Sequence, residues 1–155
     1  MPQLSLHSPI GDITVSEADG RVVSVDWGWG RDQTRTALLE RACDLLQAYF
    51  DGVEVVFDLP LAPAGTAYQQ RVWAVLRRIP RGHTRTYGEL VAEAGGSARA
   101  IGRANGANPI PIIIPCHRVV AGTGLGGYSG LGGLATKRFL LHLERGAPEQ
   151  GALSV

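Results

Sequence analysis

Thr86-Tyr87-Gly88-Glu89-Leu90-Val91-Ala92-Glu93-Ala94-Gly95-Gly96-Ser97-Ala98-Arg99-Ala100-Ile101-Gly102-Arg103-Ala104-Asn105-Gly106 carries two helix start signals with a break between them. Thr86 with Glu89 three residues on is a capping box: the hydroxyl accepts from a first-turn N–H and the carboxylate reaches back to the cap. The helix so begun ends at Gly95-Gly96, where backbone freedom favours a turn. Ser97 can cap a second helix, Ala98 to Asn105, which stops at Gly106. A helix, a tight glycine turn and a short second helix bearing Arg99 and Arg103 outline a helix-turn-helix, whose second helix enters a DNA groove. Helix pairs joined by glycine turns are common outside DNA-binding proteins, so the outline needs support from its flanks.

Upstream, Thr66-Ala67-Tyr68-Gln69 is another capping box, starting a helix that runs to about Arg78 and is stopped by Pro80. Downstream, the apolar run Asn108-Pro109-Ile110-Pro111-Ile112-Ile113-Ile114 leads into Pro115-Cys116-His117-Arg118. A free cysteine in an isoleucine-rich run is ordinarily core packing. A thiol followed by an imidazole and a guanidinium is also what a sulfur nucleophile needs, because the thiolate forms only where a base or positive charge draws off its proton. Arg118-Val119-Val120-Ala121 and Gly122-Thr123-Gly124-Leu125-Gly126-Gly127-Tyr128 read as a short hairpin or wing. A last helix is expected from about Ala135 to Glu144, ending at Gly146, before a frayed tail over 148–155.

Toward the N-terminus, Gln3-Leu4-Ser5-Leu6-His7, Asp12-Ile13-Thr14-Val15-Ser16 and Arg21-Val22-Val23-Ser24-Val25-Asp26-Trp27 alternate or cluster apolar residues as strands do, with turns at Ser8-Pro9-Ile10-Gly11 and Asp19-Gly20. Three antiparallel strands are the simplest arrangement. Leu38, Leu39, Ala42, Leu45, Leu46, Tyr49 and Phe50 recur at helical spacing, so one helix covers the sheet and buries Cys43 as packing. Residues 51–65 read as a short strand and linker. The expected class is α/β, divided into an N-terminal lobe over 1–62, a helical lobe over 63–147 and the tail.

The chain has 155 residues, 45% of them apolar, enough for one ordinary domain or two small lobes. No run is long enough to cross a bilayer, and Met1-Pro2-Gln3-Leu4 lacks the start of a secretory signal, so no membrane partner and a cytoplasmic location are expected. Cys43 and Cys116 stand far apart, which suits free thiols in a reducing compartment. Net charge is +1, but residues 1–65 carry four arginines against ten acids, whereas residues 66–155 carry eleven basic residues against four acids. The second lobe is the candidate for a polyanion. His7, His83, His117, His142 and the two cysteines show no paired metal-ligand spacing, and no metal or other cofactor is expected.

Seven segments in order carry a resemblance. Tyr68-Gln69-Gln70-Arg71-Val72-Trp73, Thr86-Tyr87-Gly88, Ala98-Arg99-Ala100-Ile101-Gly102, Asn108-Pro109, Ile114-Pro115-Cys116-His117-Arg118-Val119, Tyr128-Ser129-Gly130 and Lys137-Arg138-Phe139-Leu140-Leu141 follow one another as in the O6-alkylguanine-DNA alkyltransferases. The match is strong over roughly residues 66–145, while the first lobe resembles the family in strand and helix order. The resemblance implies a ribonuclease-H-like N-terminal lobe and a winged helix-turn-helix lobe. It also implies direct repair of double-stranded DNA by a monomer: an alkyl group passes from O6 of guanine, or O4 of thymine, to Cys116. The product is a thioether with no good leaving group, so each molecule acts once.

The same resemblance distributes roles. A network from acid through histidine and water to thiol maps onto Glu144, His117 and Cys116. Adjacent residues of an extended chain point to opposite sides, so a bridging water suits the His117–Cys116 pair better than direct contact. Arg99 fills the space left by the extruded nucleotide, while Ala98, Ala100 and Gly102, with Arg103 beside them, let the second helix approach the minor groove. Tyr87 turns the target phosphate and gives a proton to the leaving guanine. Asn108 ties the recognition helix to the thiol loop. Pro111, Val119, Tyr128, Ser129 and Gly130 wall the base pocket, and Leu131-Gly132-Gly133-Leu134 is slightly longer than the family pattern, which bears on pocket width. Arg118 is assigned a structural or phosphate-side role. The competing expectation is a non-enzymatic protein that binds alkylated DNA and flags it; such proteins lack the acceptor cysteine. A helix-turn-helix regulator would not need a thiol after three isoleucines.

Overall fold

The alternating N-terminal segments form strands β1 (Gln3–Leu6), β2 (Ile13–Ala18) and β3 (Arg21–Trp27) in the computed structural model, which describes residues 1–128 and 133–146. They make one antiparallel sheet in the order β1-β2-β3, with Leu4 opposite Val15 and Leu6 opposite Ile13. Helix α1 (Ala37–Phe50) begins at Thr36, whose hydroxyl accepts from Leu39 N–H at 3.1 Å. Leu39, Ala42 and Leu46 are fully buried, as are Ile13 and Val15 of the central strand. The other face of β2 is polar yet also buried: Ser5 and Thr14 hydroxyls meet at 2.7 Å, and the Gln33 amide donates to Ser5 Oγ from the loop above. Residues 51–65 contribute one parallel bridge, Leu61 to Val22, where a short strand was expected. Pro60 and Pro63 lack the N–H groups that a longer ladder requires.

The chain divides into two units, Met1–Ala64 and a second beginning at Gly65. In the second, α2 (Ala67–Leu76) and α3 (Tyr87–Ala94) both begin with complete capping boxes, Thr66 with Gln69 and Thr86 with Glu89. Ser97 caps α4 (Ala98–Gly106) by accepting from Ala100 N–H. Local chemistry alone specified these starts. The turn between α3 and α4 is held from α2: Tyr68 Oη donates to Gly95 O at 2.9 Å and Arg71 Nε to Ala94 O at 3.1 Å. Gly96 is required there, since its φ is 80° and a Cβ would stand 2.6 Å from Tyr68 Oη. Trp73, buried on α2, donates Nε1–H to Ala104 O at 2.8 Å and fastens α4 to the same support.

Past α4 the chain makes a single 3₁₀ turn, Cys116–Arg118, followed by β5 (Val119–Val120). This strand pairs in parallel with β4 (Arg85–Thr86), Val119 opposite Arg85, in place of the expected hairpin with the glycine-rich segment. Gly122, Gly124, Gly126 and Gly127 give that segment few side chains to pack, and it contributes one bridge, Ala121 to Gly124. Helix α5 (Leu134–Glu144) closes the described unit. The tail lies outside the described residues. Among those residues no helix is long and apolar enough to cross a membrane.

Candidate active site

The apolar run before Cys116 is folded into a tight loop by one asparagine. Asn108 Oδ1 accepts from Ile110 N–H at 2.9 Å and Nδ2 donates to Ile114 O at 2.8 Å, while Ile114 N–H returns to Ile110 O. At its apex Ile112 has φ +74°, an uncommon conformation for a β-branched residue, of a kind costing about 1–3 kcal/mol where the surroundings impose it. Ile110, Ile112 and Ile114 are buried and anchor the loop. Cys116 is thereby presented at the start of the 3₁₀ turn.

Cys116 lines a pocket of about 310 Å³ together with Tyr87, Gly102, Asn105, Gly106, Gly127 and Tyr128. Tyr87, the first residue of α3, lies between two glycines. A Cβ on Gly102 would stand 3.7 Å from its ring, and one on Gly126 would stand 2.9 Å from its hydroxyl. Gly126 also has φ +75°, so both conformation and close approach call for glycine. The Tyr128 hydroxyl and Asn105 Oδ1 are buried without hydrogen-bond partners, leaving two polar atoms unsatisfied on residues that line the pocket.

Behind the thiol is a buried charged cluster. His117 is 0% exposed and its Nε2 lies 2.5 Å from Glu144 Oε2. Arg118 embraces the same carboxylate, Nε to Oε1 at 2.8 Å and Nη2 to Oε2 at 2.9 Å, and donates Nη1–H to Ile79 O. Burial would raise the Glu144 pKa, but hydrogen bonds and charge from His117 and Arg118 hold the carboxyl well below its usual range. Burial lowers the His117 pKa against the opposing pull of Glu144, so the imidazole is neutral near neutral pH. His117 Nδ1 is buried with no partner. The side chains of Cys116 and His117 diverge because they follow one another in a 3₁₀ turn, where the extended chain of the sequence reading would have separated them by alternation.

Burial pushes the Cys116 thiol up to about 11, against a hydrogen bond from Asn108 and the positive charge of Lys137. Lys137 on α5 is 0% exposed, and its ammonium donates to Val119 O at 2.6 Å, Gly127 O at 3.0 Å and Leu125 O. Burial lowers its pKa to about 8. Neither Lys137 nor Asn105, whose Nδ2 donates to Cys116 O at 3.2 Å, was singled out in the sequence. The available signal for Asn105 was its place beside Ile101 and Ala104 on the inward face of α4, where an amide needs a polar partner.

The structure brings Cys116, Tyr87, Gly102 and Tyr128 to one pocket, sets Asn108 as the loop's brace, and puts His117 and Glu144 behind the thiol. Ala98, Arg99 and Arg103 are exposed along α4, with Ala100 partly so. Pro111 and Val119 are buried outside the pocket lining; Pro111 bridges to Ile114, and Val119 is occupied by β4 and Lys137. Ser129 and Gly130, with Leu131 and Gly132, lie outside the described residues. Among the described residues no three His, Cys, Asp or Glu side chains converge as metal ligands. The arrangement offers a desolvated thiol, a neutral base held by an ionised acid, and a phenol facing the same space.

The sequence model described as 6-O-methylguanine DNA methyltransferase, DNA binding domain, matches residues 67–146, and that of the same family's ribonuclease-like domain matches residues 4–63. A Mycolicibacterium paratuberculosis protein named methylated-DNA--protein-cysteine methyltransferase is 42% identical over 153 residues, covering 91% of this chain and 90% of the relative. A Mycobacterium tuberculosis protein of the same name is 53% identical over 107 residues, which are 67% of this chain and 64% of that protein. The solved structure of Mycobacterium tuberculosis OGT in complex with DNA superposes with a TM-score of 0.87 at 40% identity, covering 100% of both chains. Sequence and fold agree over both units: the chain belongs to the 6-O-methylguanine DNA methyltransferase family.

Proposed function

We propose that the protein repairs alkylated double-stranded DNA by moving an alkyl group from O6 of guanine to Cys116 Sγ, with O4 of thymine as a second acceptable donor. The observation that carries this reading is the thiol in a pocket of nucleobase dimensions, backed by a buried His117–Glu144–Arg118 cluster. The names of the relatives and the DNA-bound neighbour support it.

In this mechanism Sγ attacks the alkyl carbon in line as the carbon–O6 bond breaks. The thiol proton passes through a water to His117 Nδ1, whose other nitrogen is already committed to Glu144. The ionised carboxylate steadies the imidazolium, as the third member of a catalytic triad does. Guanine leaves with a proton from the Tyr87 hydroxyl, and His117 returns its proton through solvent to the phenolate. Cys116 ends as a thioether and is consumed. Asn108 keeps the loop in register, and Tyr128, with Ser129 and Gly130, encloses the base.

O6 is inside the duplex, so the nucleotide leaves the stack at a cost of a few kcal/mol. Arg99, exposed on α4, takes its place, while Ala98, Ala100 and Gly102 permit close approach and Arg103 adds positive charge toward the backbone. One thiol and one wedge in one chain make a monomer sufficient, and the two free thiols suit the reducing cytoplasm. Mass spectrometry of the Cys116 peptide after incubation with a duplex containing O6-methylguanine tests the reading: a methyl adduct is expected. Binding of that duplex without an adduct would instead establish the alkylated-DNA-binding reading, which the presence of the thiol disfavours.

A further inference from the structure

The other side of the glycine-rich loop forms a second cleft, of about 280 Å³, lined by Leu125, Arg138, Leu141, His142 and Arg145. Arg138, His142 and Arg145 fall on one face of α5 because steps of four and seven residues nearly close whole helical turns. Neither guanidinium has an ion-pair or hydrogen-bond partner among the described residues, and no acidic side chain lines the cleft. His142 Nδ1 is buried without a partner. The nearest acid along the helix, Glu144, points away into the cluster with His117 and Arg118.

Solvated helix ends collect cations because the C-terminal dipole favours them, which accounts for His142 and Arg145. It does not account for Arg138, which stands in the first half of α5. Two forked donors and an imidazole around a floor of Leu125 and Leu141 match a phosphate group, since guanidinium planes pair with phosphate oxygens in bidentate fashion. The wall opposite the helix is held in place: Lys137 grips Leu125 O and Gly127 O, so the cleft does not depend on ligand to form. None of these side chains has a part in the proposed transfer reaction.

We infer that the Arg138–His142–Arg145 cleft is a phosphate-binding site distinct from the Cys116 pocket. The phosphate comes either from the backbone of bound nucleic acid or from a free phosphate ester, and two arms separate the sources. In the first, inorganic phosphate is titrated into the isotope-labelled full chain. Nitrogen and proton signals of the His142 ring are expected to shift, and to stay fixed in R138Q/R145Q. In the second, undamaged duplex is bound over a range of salt concentrations. A backbone source lowers the slope of log affinity against log salt by about 1.8 in the double variant, at about 0.9 per lost phosphate contact. A free-ester source leaves that slope unchanged while the phosphate titration still discriminates the variants. If neither phosphate nor duplex moves the His142 signals of the unmodified protein, the site is refuted. Methyl transfer from free O6-methylguanine should be equal in both proteins, which also reports that the variant is folded. Loss of transfer in the unmodified protein would sink the repair reading and leave the cleft standing.

Discussion

His117 is neutral because it is buried, and Glu144 is ionised because His117 and Arg118 bond it. A thiol whose pKa is pushed to about 11 is almost wholly protonated near neutrality, so the proposed reaction depends on the base to remove that proton as attack begins. With free O6-methylguanine the rate of Cys116 methylation should be level between about pH 7 and 9, falling only once His117 protonates, below its ordinary 6.5. In H117Q the route is limited to thiolate already formed, and the rate should climb about tenfold per pH unit up to about 11. A tenfold climb in the unmodified protein would show that His117 is no base. At this scale the sequence displayed the Cys116-His117 pair but not its surroundings. The inward-facing Asn105 and Lys137 were invisible because their burial depends on which loop covers them, something no local spacing encodes.

Element by element, the readable parts were those whose determinants lie within a turn or two of chain. The capping boxes of α2 and α3, the Ser97 cap of α4 and the alternation of β1 and β2 needed no distant partner. The β4–β5 pair was misread as a hairpin because parallel pairing joins Thr86 to Val120 across two helices and the thiol loop. What then holds the glycine-rich segment is α5, through the three carbonyls gripped by Lys137. K137M keeps much of the side chain's bulk and strands these acceptors. Leaving buried polar groups unsatisfied typically costs about 1–3 kcal/mol, so urea unfolding should show a loss of that order. A merely structural residue would stop there. Because Lys137 also opposes the rise in the thiol pKa, K137M should move Cys116 ionisation, read from alkylation rate against pH, above its value of about 11. An unchanged ionisation with lowered stability would leave Lys137 as a clamp alone.

For the whole molecule, the sharpest asymmetry is electrical: the acids are concentrated before residue 66, and the basic residues after it, in the part that carries the helix-turn-helix and the thiol. Positive charge explains attraction to a polyanion at long range, but it cannot open a base pair. Extraction needs a side chain that enters the stack, and Arg99 stands exposed one residue into α4, beside alanines that leave the helix slim. If Arg99 occupies the vacated space, R99A loses that compensation only when a stack exists. Methyl transfer from duplex should therefore fall at least about tenfold, equivalent to about 1.4 kcal/mol, while transfer from the free base stays level. Duplex binding should weaken far less than repair, since one phosphate-scale contact among many is lost. Equal losses on duplex and free base would place the defect in the Cys116 pocket, and equal losses in binding and repair would make Arg99 an ordinary backbone contact. Only a duplex-specific loss of repair separates a wedge from both, because a wedge alone acts on the step between binding and chemistry.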